Sequence, residues 1–391
     1  MPIINRIADF HEDMTAWRRD LHTHPELGFE LPRTSAIVAE KLRSFGLDEV
    51  VTGIAQTGVV GVIHGRPSST GRAIGLRADM DALPIFEETG LPYASATPGL
   101  MHACGHDGHT AMLLGAARYL AETRNFDGTV YVIFQPAEEG GGGGRVMVEE
   151  GLFERFPMQQ VYGLHNWPNL PAGTFTFRPG PIMAATGRIH ITVTGRGAHG
   201  AKPNEGIDPI LVASHIVTAL QSIVARGMEP TEAGVITIGH ISAGNAENVI
   251  PERAVMKGTA RWFSPKVGDL LEEGVHRIAT GVAAAFGAQA EVEFKRAYPA
   301  TINDAEATGL SRIAAAAVAG EARVVPMERP TMGAEDFSYM LNAKQGSYIL
   351  LGGGRGPDTP GVHHPRFDFN DAVLPIGASY WATLTEQLLQ D

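Results

Sequence analysis

Four polar motifs each follow closely on a short apolar run rich in β-branched residues or precede a helix, and this placement constrains the fold most. The motif at 77–84 (RADMDALP) follows the run Ile74–Leu76, and 135–139 (QPAEE) follows Val130–Phe134. The motif at 163–166 (GLHN) follows Val161, and the cluster at 101–109 (MHACGHDGH) stands just before a helical run over Thr110–Glu122. Short strands alternating with helices and bounded by glycine and proline indicate an α/β domain: a mixed or parallel sheet flanked by helices. In such a sheet the strand ends lie along one edge, where ligands bind. Residues far apart in sequence are therefore expected to converge there.

The texture changes near Gly187. Alternating runs at 188–194, 234–240, 254–263 and 290–294 are interleaved with helical runs at 209–225 and 268–286. Strand–helix–strand–strand–helix–strand is the ferredoxin-like order, a two-layer α+β unit. The expected organisation is a discontinuous catalytic domain, 1–186 with 298–391, interrupted by an inserted domain at 187–297. A chain of 391 residues suits two cores. Apolar residues at helical spacing predict a first helix over 3–21, and 372–389 reads as the last. With 31 basic and 43 acidic side chains, the net charge of −12 argues against nucleic acid or an anionic membrane as partner. No apolar leader core and no run of roughly 20 apolar residues is expected, which points to a soluble, cytoplasmic protein.

The single cysteine, Cys104, lies among His102, His106, Asp107 and His109. A lone thiol in that company reads as a metal ligand or a nucleophile. Cys104, His106, Glu138, Glu139 and His165 are the candidates to converge. Thiolate, imidazole and carboxylate together suit Zn²⁺ or Mn²⁺. More candidates than one ion takes favour two ions. Adjacent side chains on a strand face opposite ways, so Glu138 and Glu139 need the break offered by Pro136 and Gly140–Gly144 to share a site. One carboxylate then binds metal and the other stays free as a general base.

These motifs, with 18–30 (RRDLHTHPELGFE), 333–337 (GAEDF) and 363–371 (HHPRFDFND), resemble the M20 metal-dependent amidohydrolases. The branch is that of hippurate hydrolase, N-acyl amino acid amidohydrolases and indole-acetyl-amino-acid hydrolases. The resemblance implies Cys104, His106, Glu139, His165 and His363 as ligands of two divalent ions (Mn²⁺ or Zn²⁺, with Co²⁺ or Ni²⁺ as alternatives). His364 is the alternative to His363. It implies Glu138 as general base, Asp79 behind the site, and His199 polarising the scissile carbonyl across a dimer. Asn248 and Arg261 would hold the substrate, Arg261 through its carboxylate. The inserted domain would act as lid and dimerisation module, giving a homodimer or a homotetramer. The substrate implied is a small N-acyl amino acid, cut to a carboxylic acid and a free amino acid.

Three other readings compete: a dipeptidase or carboxypeptidase of the same family, an amidase using Cys104 as nucleophile, and a binding protein on a retired scaffold. Asp81 reads either as support for the site or as a turn residue, and Glu335 and Asp336 as pocket-shaping or helix-capping groups. His22 and His24 read as structural, and His102 and His109 as supporting or capping groups. The Gly140–Gly144 run lacks the lysine of a phosphate loop.

Overall fold

The computed structural model describes residues 3–67 and 71–390. In chain order, the first elements are helices α1 (His11–Thr23) and α2 (Pro32–Ser44) and strands β1 (Glu49–Ile54), β2 (Gly58–His64) and β3 (Ala73–Asp79). Helix α3 (His106–Thr123), strand β4 (Thr129–Gln135), helix α4 (Gly143–Glu149), β5 (Gln160–Pro171) and β6 (Phe175–Phe177) follow. The middle of the chain holds β7 (Ala185–Thr194), α5 (Pro209–Ser222), β8 (Gly234–Ala243), β9 (Arg253–Trp262), α6 (Pro265–Ala285) and β10 (Gln289–Arg296). The last stretch adds α7 (Ala305–Ala319), β11 (Val324–Pro326), β12 (Gln345–Gly354) and α8 (Leu374–Leu388).

The chain divides into two units. Unit 1 comprises Met1–Ile182, Thr301–Pro330 and Asp336–Asp391, and unit 2 comprises Met183–Ala300 and Thr331–Glu335. Residues 331–335 associate with unit 2 through a bridge between Met183 and Thr331 and a bond from Ala184 N to Gly333 O of 2.8 Å.

Unit 1 is built on one eight-stranded sheet in the order β1-β2-β4-β3-β5-β12-β6-β11. Its central strands β4, β3, β5 and β12 run parallel, with β2 and β1 antiparallel at one edge. Parallel strands covered on both faces read as continuous apolar runs, as β4 does. Helices α3 and α8 supply much of the core, with Met112, Leu113, Leu114, Ala116, Tyr380, Trp381 and Leu384 buried. Truncating one of these leucines to alanine costs about 2–5 kcal/mol. The expected first helix is broken: a single turn, Asn5–Ala8, stops at Asp9, and α1 starts at His11.

Unit 2 holds a four-stranded antiparallel sheet in the order β8-β9-β7-β10. Helices α5 and α6 pack on it through Val212, Ile216, Leu220, Leu271 and Val275. The strand order and helix placement are ferredoxin-like. Both helices start on a side-chain cap followed by proline: Asp208 accepts from Ile210 N, and Ser264 from Val267 N. One expectation is corrected here. Among the described residues the helical run Pro209–Gly227, 19 residues long, is long and apolar enough to cross a membrane. Its apolar residues lie on more than one face, with Ile210 and Leu211 exposed while Val212, Ala213, Ile216 and Leu220 face the core of unit 2.

Candidate metal centre

Strand register in unit 1 explains why distant motifs meet. Asp79 of β3 is level with Gln135 of β4, and Arg77 is level with Gly163 of β5. Asp81, Glu138–Glu139 and His165 thus lie at or just past one line across the parallel strands. Helix α3 begins at the same edge, its first residue being His106. Gly105 makes this junction feasible. It has φ +90°, and a Cβ there would stand 2.4 Å from Asn166 Nδ2.

The donor atoms gather in overlapping groups. Cys104, His106 and His165 offer ligand atoms within 4.8 Å of one another, as do Cys104, Glu139 and His363, and also His106, Glu138 and Glu139. Cys104 Sγ is 3.4 Å from His165 Nε2, and His363 Nε2 is 3.2 Å from Glu139 Oε1. His364 instead turns its Nδ1 to the Arg366 backbone N–H at 3.0 Å.

The imidazole rings are oriented for ligation. His106 Nδ1 donates to Asp81 O at 2.8 Å, and His165 Nδ1 donates to Asn166 O at 2.6 Å. Each leaves Nε2 turned into the cluster, the arrangement of metal-bound histidines. His106 Nε2 and Glu139 Oε1 are buried without a hydrogen bond of good geometry. Such orphaned buried atoms are costly unless something binds them. Electrostatics agree. Burial alone would lower His106, but Asp79 and then Asp81 override it and lift its pKa to about 10. Burial, then the charges of Glu139 and Glu138, pushes the Cys104 thiol well above its ordinary range. This excess of buried negative charge is what a dication neutralises. The residues present fit a metal centre.

The carboxylate pair shows how the chain escapes strand alternation. Strand β4 stops at Gln135, and Ala137 adopts φ +56°, a left-handed turn rare for a residue with a Cβ. The two oxygens of Asp81 then accept the backbone N–H of Glu138 (2.9 Å) and of Glu139 (3.0 Å). Both carboxylates are thereby held toward the cluster. Gly143 closes the turn, since a Cβ there would fall 1.7 Å from Pro136 O. Gly143→Ala is expected to cost about 3 kcal/mol or more, read by thermal unfolding.

Asp79 supports the site by a hydrogen bond from His109 and as a charge 3.8 Å from His106 Nε2. His109 Nδ1 donates to Asp79 Oδ1 at 2.6 Å, and its Nε2 accepts from Asn166 N at 2.8 Å. Asn166 Nδ2 in turn donates to Cys104 O at 2.6 Å. With both nitrogens engaged, His109 ties Asp79 to the backbone of Asn166, and Asn166 carries the tie on to the Cys104 backbone. His102 is buried, and neither ring nitrogen has a hydrogen-bond partner among the described residues. Burial holds its pKa down to about 3, so it is neutral. Asp336 accepts from Arg77, Gln135 and Gly144 N and braces the ends of β3 and β4.

Within unit 2, an antiparallel bridge sets His199 against Val249, and Gly200 N donates to Asn248 O at 2.7 Å. His199 and Asn248 are neighbours, and both are exposed. Arg261 lies on β9, half-buried, and burial lowers its pKa. Among the described residues no carboxylate forms an ion pair with it.

Three groups were missed or undervalued by sequence reasoning. Asp81 is the buried acceptor for both glutamates. Asn166, in a quoted motif, is a structural tie. Arg18 and His22 are fully buried on α1 in one ionic cluster with Asp107, and helical spacing alone had no way to show it. Burial opposes charge on His22, but hydrogen bonds to Asp107 and Glu87 raise its pKa from 6.5 to about 9. A histidine raised on folding contributes stability that is full below pH 6.5 and lost as pH rises through 9. Metal-free protein should therefore lose up to about 3 kcal/mol of stability between those values. His22→Gln should flatten that part of the curve, measured by denaturant unfolding across pH.

Parallel strand ends converging on thiol, imidazole and carboxylate donors are the layout of an α/β-class enzyme with a candidate metal centre. The family model of peptidase family M20/M25/M40 matches residues 75–387. The chain belongs to that family, and it is a hydrolase. Hippurate hydrolase of Campylobacter jejuni is 40% identical over 390 residues, covering 100% of both chains. N-acetyl-L-cysteine deacetylase of Bacillus subtilis is 39% identical over 387 residues, covering 98% of this chain and 90% of that protein. The crystal structure of Bacillus subtilis YXEP protein, described as a dinuclear metal-binding peptidase, superposes with a TM-score of 0.84. It is 36% identical and covers 98% of this chain and 99% of its own.

Proposed function

We propose that the protein hydrolyses the amide bond of N-acyl amino acids, adding water to give a carboxylic acid and a free amino acid. The observation that carries this is Asp81 holding two adjacent glutamates toward one donor cluster. One carboxylate is thereby available for metal and one for a proton. Cys104, His106, Glu139, His165 and His363 are assigned as ligands of two divalent ions, Mn²⁺ or Zn²⁺. His363 is preferred to His364 because its Nε2 faces Glu139 while His364 is engaged by Arg366 N.

A bound divalent ion supplies Lewis acidity for the amide carbonyl and lowers the pKa of water. Glu138 takes the proton of the attacking water and returns it to the departing amine nitrogen. His199, with Asn248 beside it, is assigned to the substrate carbonyl. Arg261, a half-buried cation with no carboxylate partner among the described residues, is assigned to the substrate carboxylate. These three belong to the inserted unit, read as the lid and dimerisation module of a homodimer. A Cys104 nucleophile is disfavoured: a reactive thiolate needs a lowered pKa, and here burial and two carboxylates raise it.

Mass-spectrometric detection of amino-acid release from benzoyl, acetyl and indole-acetyl amino acids and from dipeptides, with Mn²⁺ or Zn²⁺, tests the substrate class. Release from N-acyl substrates is expected. Release from dipeptides alone would move the assignment to the peptidases of the family.

A further inference from the structure

The sequence motif at 18–30 takes no part in the chemistry above, yet it places a fully buried arginine beside the site. We propose that Arg18 is a positioning residue for His363, its guanidinium fixing the backbone that carries this histidine to the first turn of α3. The inference rests on the assignment of His363 as a metal ligand.

His363 needs such a hold. Its φ of +63° is left-handed, and its side chain is 52% exposed. A residue with a Cβ keeps that conformation only where its surroundings over-determine it. Upstream, His363 N donates to Ala103 O at 2.7 Å, next to Cys104. Downstream, the hold comes from Arg18. Its Nη2 donates to Asp368 Oδ1 at 2.6 Å and to Phe369 O at 3.1 Å. Its Nε faces Asp371 Oδ1 at 3.3 Å and Asp107 Oδ2 at 3.2 Å. Asp107 adjoins His106 and caps its own helix turn at Gly108 N, 2.9 Å. One cation thus joins α1, the start of α3 and the segment 368–371.

Packing repeats the link. The Phe369 ring lies so close to α3 that a Cβ on Gly108 would stand 2.3 Å from it. Asp368 also accepts from Tyr93 Oη at 3.1 Å and from Arg355 Nη2 at 2.8 Å, so the segment is tied from its other side too. A planar fork whose Nη2 meets Asp368 and the Phe369 carbonyl while its Nε faces Asp107 and Asp371 is geometry that a single ammonium does not reproduce.

The test is Mn²⁺ binding to metal-free, full-length protein by calorimetry, with thermal unfolding as the control for folding. Arg18→Lys keeps the charge and loses the fork. It should weaken Mn²⁺ binding by about tenfold or more, and lower kcat more than it raises KM. Asp368→Asn, which leaves the arginine in place, should weaken binding in the same direction. In a His363→Ala background, Arg18→Lys should have no further effect on Mn²⁺ affinity. The inference is overturned if folded Arg18→Lys binds Mn²⁺ like the wild type, or if its loss persists without His363. Should Arg18→Lys not fold, the same two comparisons with Asp368→Asn decide. Mn²⁺ affinity is read without substrate, so an error in the substrate class leaves this result standing.

Discussion

Glu138→Gln is expected to lower kcat by about 10²–10⁴-fold, the range a positioned general base contributes, while Mn²⁺ stays bound. Glutamine keeps the size of the side chain and the backbone bond to Asp81, and it cannot accept the proton. KM should move little, because the account gives Glu138 no role in holding the substrate. Calorimetry of Mn²⁺ binding beside steady-state kinetics separates the two roles available to this carboxylate. Loss of metal together with turnover would reassign Glu138 as a ligand, and retained turnover would remove it from the mechanism.

The second large effect belongs to a residue that touches no substrate. Asp81→Ala removes the acceptor for two buried N–H groups and loosens both glutamates at once. Hydrogen bonds to a charged group contribute about 1.5–3 kcal/mol each, so a loss of about 3–6 kcal/mol of stability is expected. Activity should fall by about 100-fold or more in the protein that remains folded, because small displacements of catalytic groups are costly. Asp81→Asn retains one acceptor and should recover part of both. Thermal unfolding and kcat of the two variants check this. Equal activity in Asp81→Ala and wild type would show that the turn at 136–139 holds itself.

The cluster at the strand ends was legible because a parallel sheet has only one edge where strand-terminal motifs can meet. Residue chemistry then suggested the donors: a lone thiol, paired histidines and a tandem carboxylate broken by proline. Other parts left no local trace. Strand β12, hydrogen-bonded beside β5, has a glycine at its second position and three at its end, which resemble turn signals. Helix α2 opens with Pro32 at its first position, a start signal that was there to read. Arg18 on α1 carries no sign of burial in the sequence, and His22 reads as structural without a partner that the sequence can name. Their burial depends on partners 350 and 85 residues away, Asp368 and Asp107, which only the tertiary fold brings near. Asp81 was ambiguous for a related reason: its acceptors are used by backbone N–H groups, and backbone demand is invisible in side-chain patterns.

The pKa shifts point the same way as the geometry. Cys104 and His106 both hold protons at neutral pH in the metal-free protein. Metal entry must displace them, so Mn²⁺ affinity should rise with pH and proton release should accompany binding. Calorimetry in buffers of different ionisation enthalpy measures that release.

The central claim is metal-dependent hydrolysis of an N-acyl amino acid at the Cys104–His165 cluster. The most direct measurement is a Mn²⁺ titration of chelator-treated protein, recording bound metal and benzoylglycine hydrolysis in the same samples. The account predicts no hydrolysis in the stripped protein and activity that rises with occupancy. Full activity in protein shown to be metal-free would contradict it and return Cys104 to the role of nucleophile.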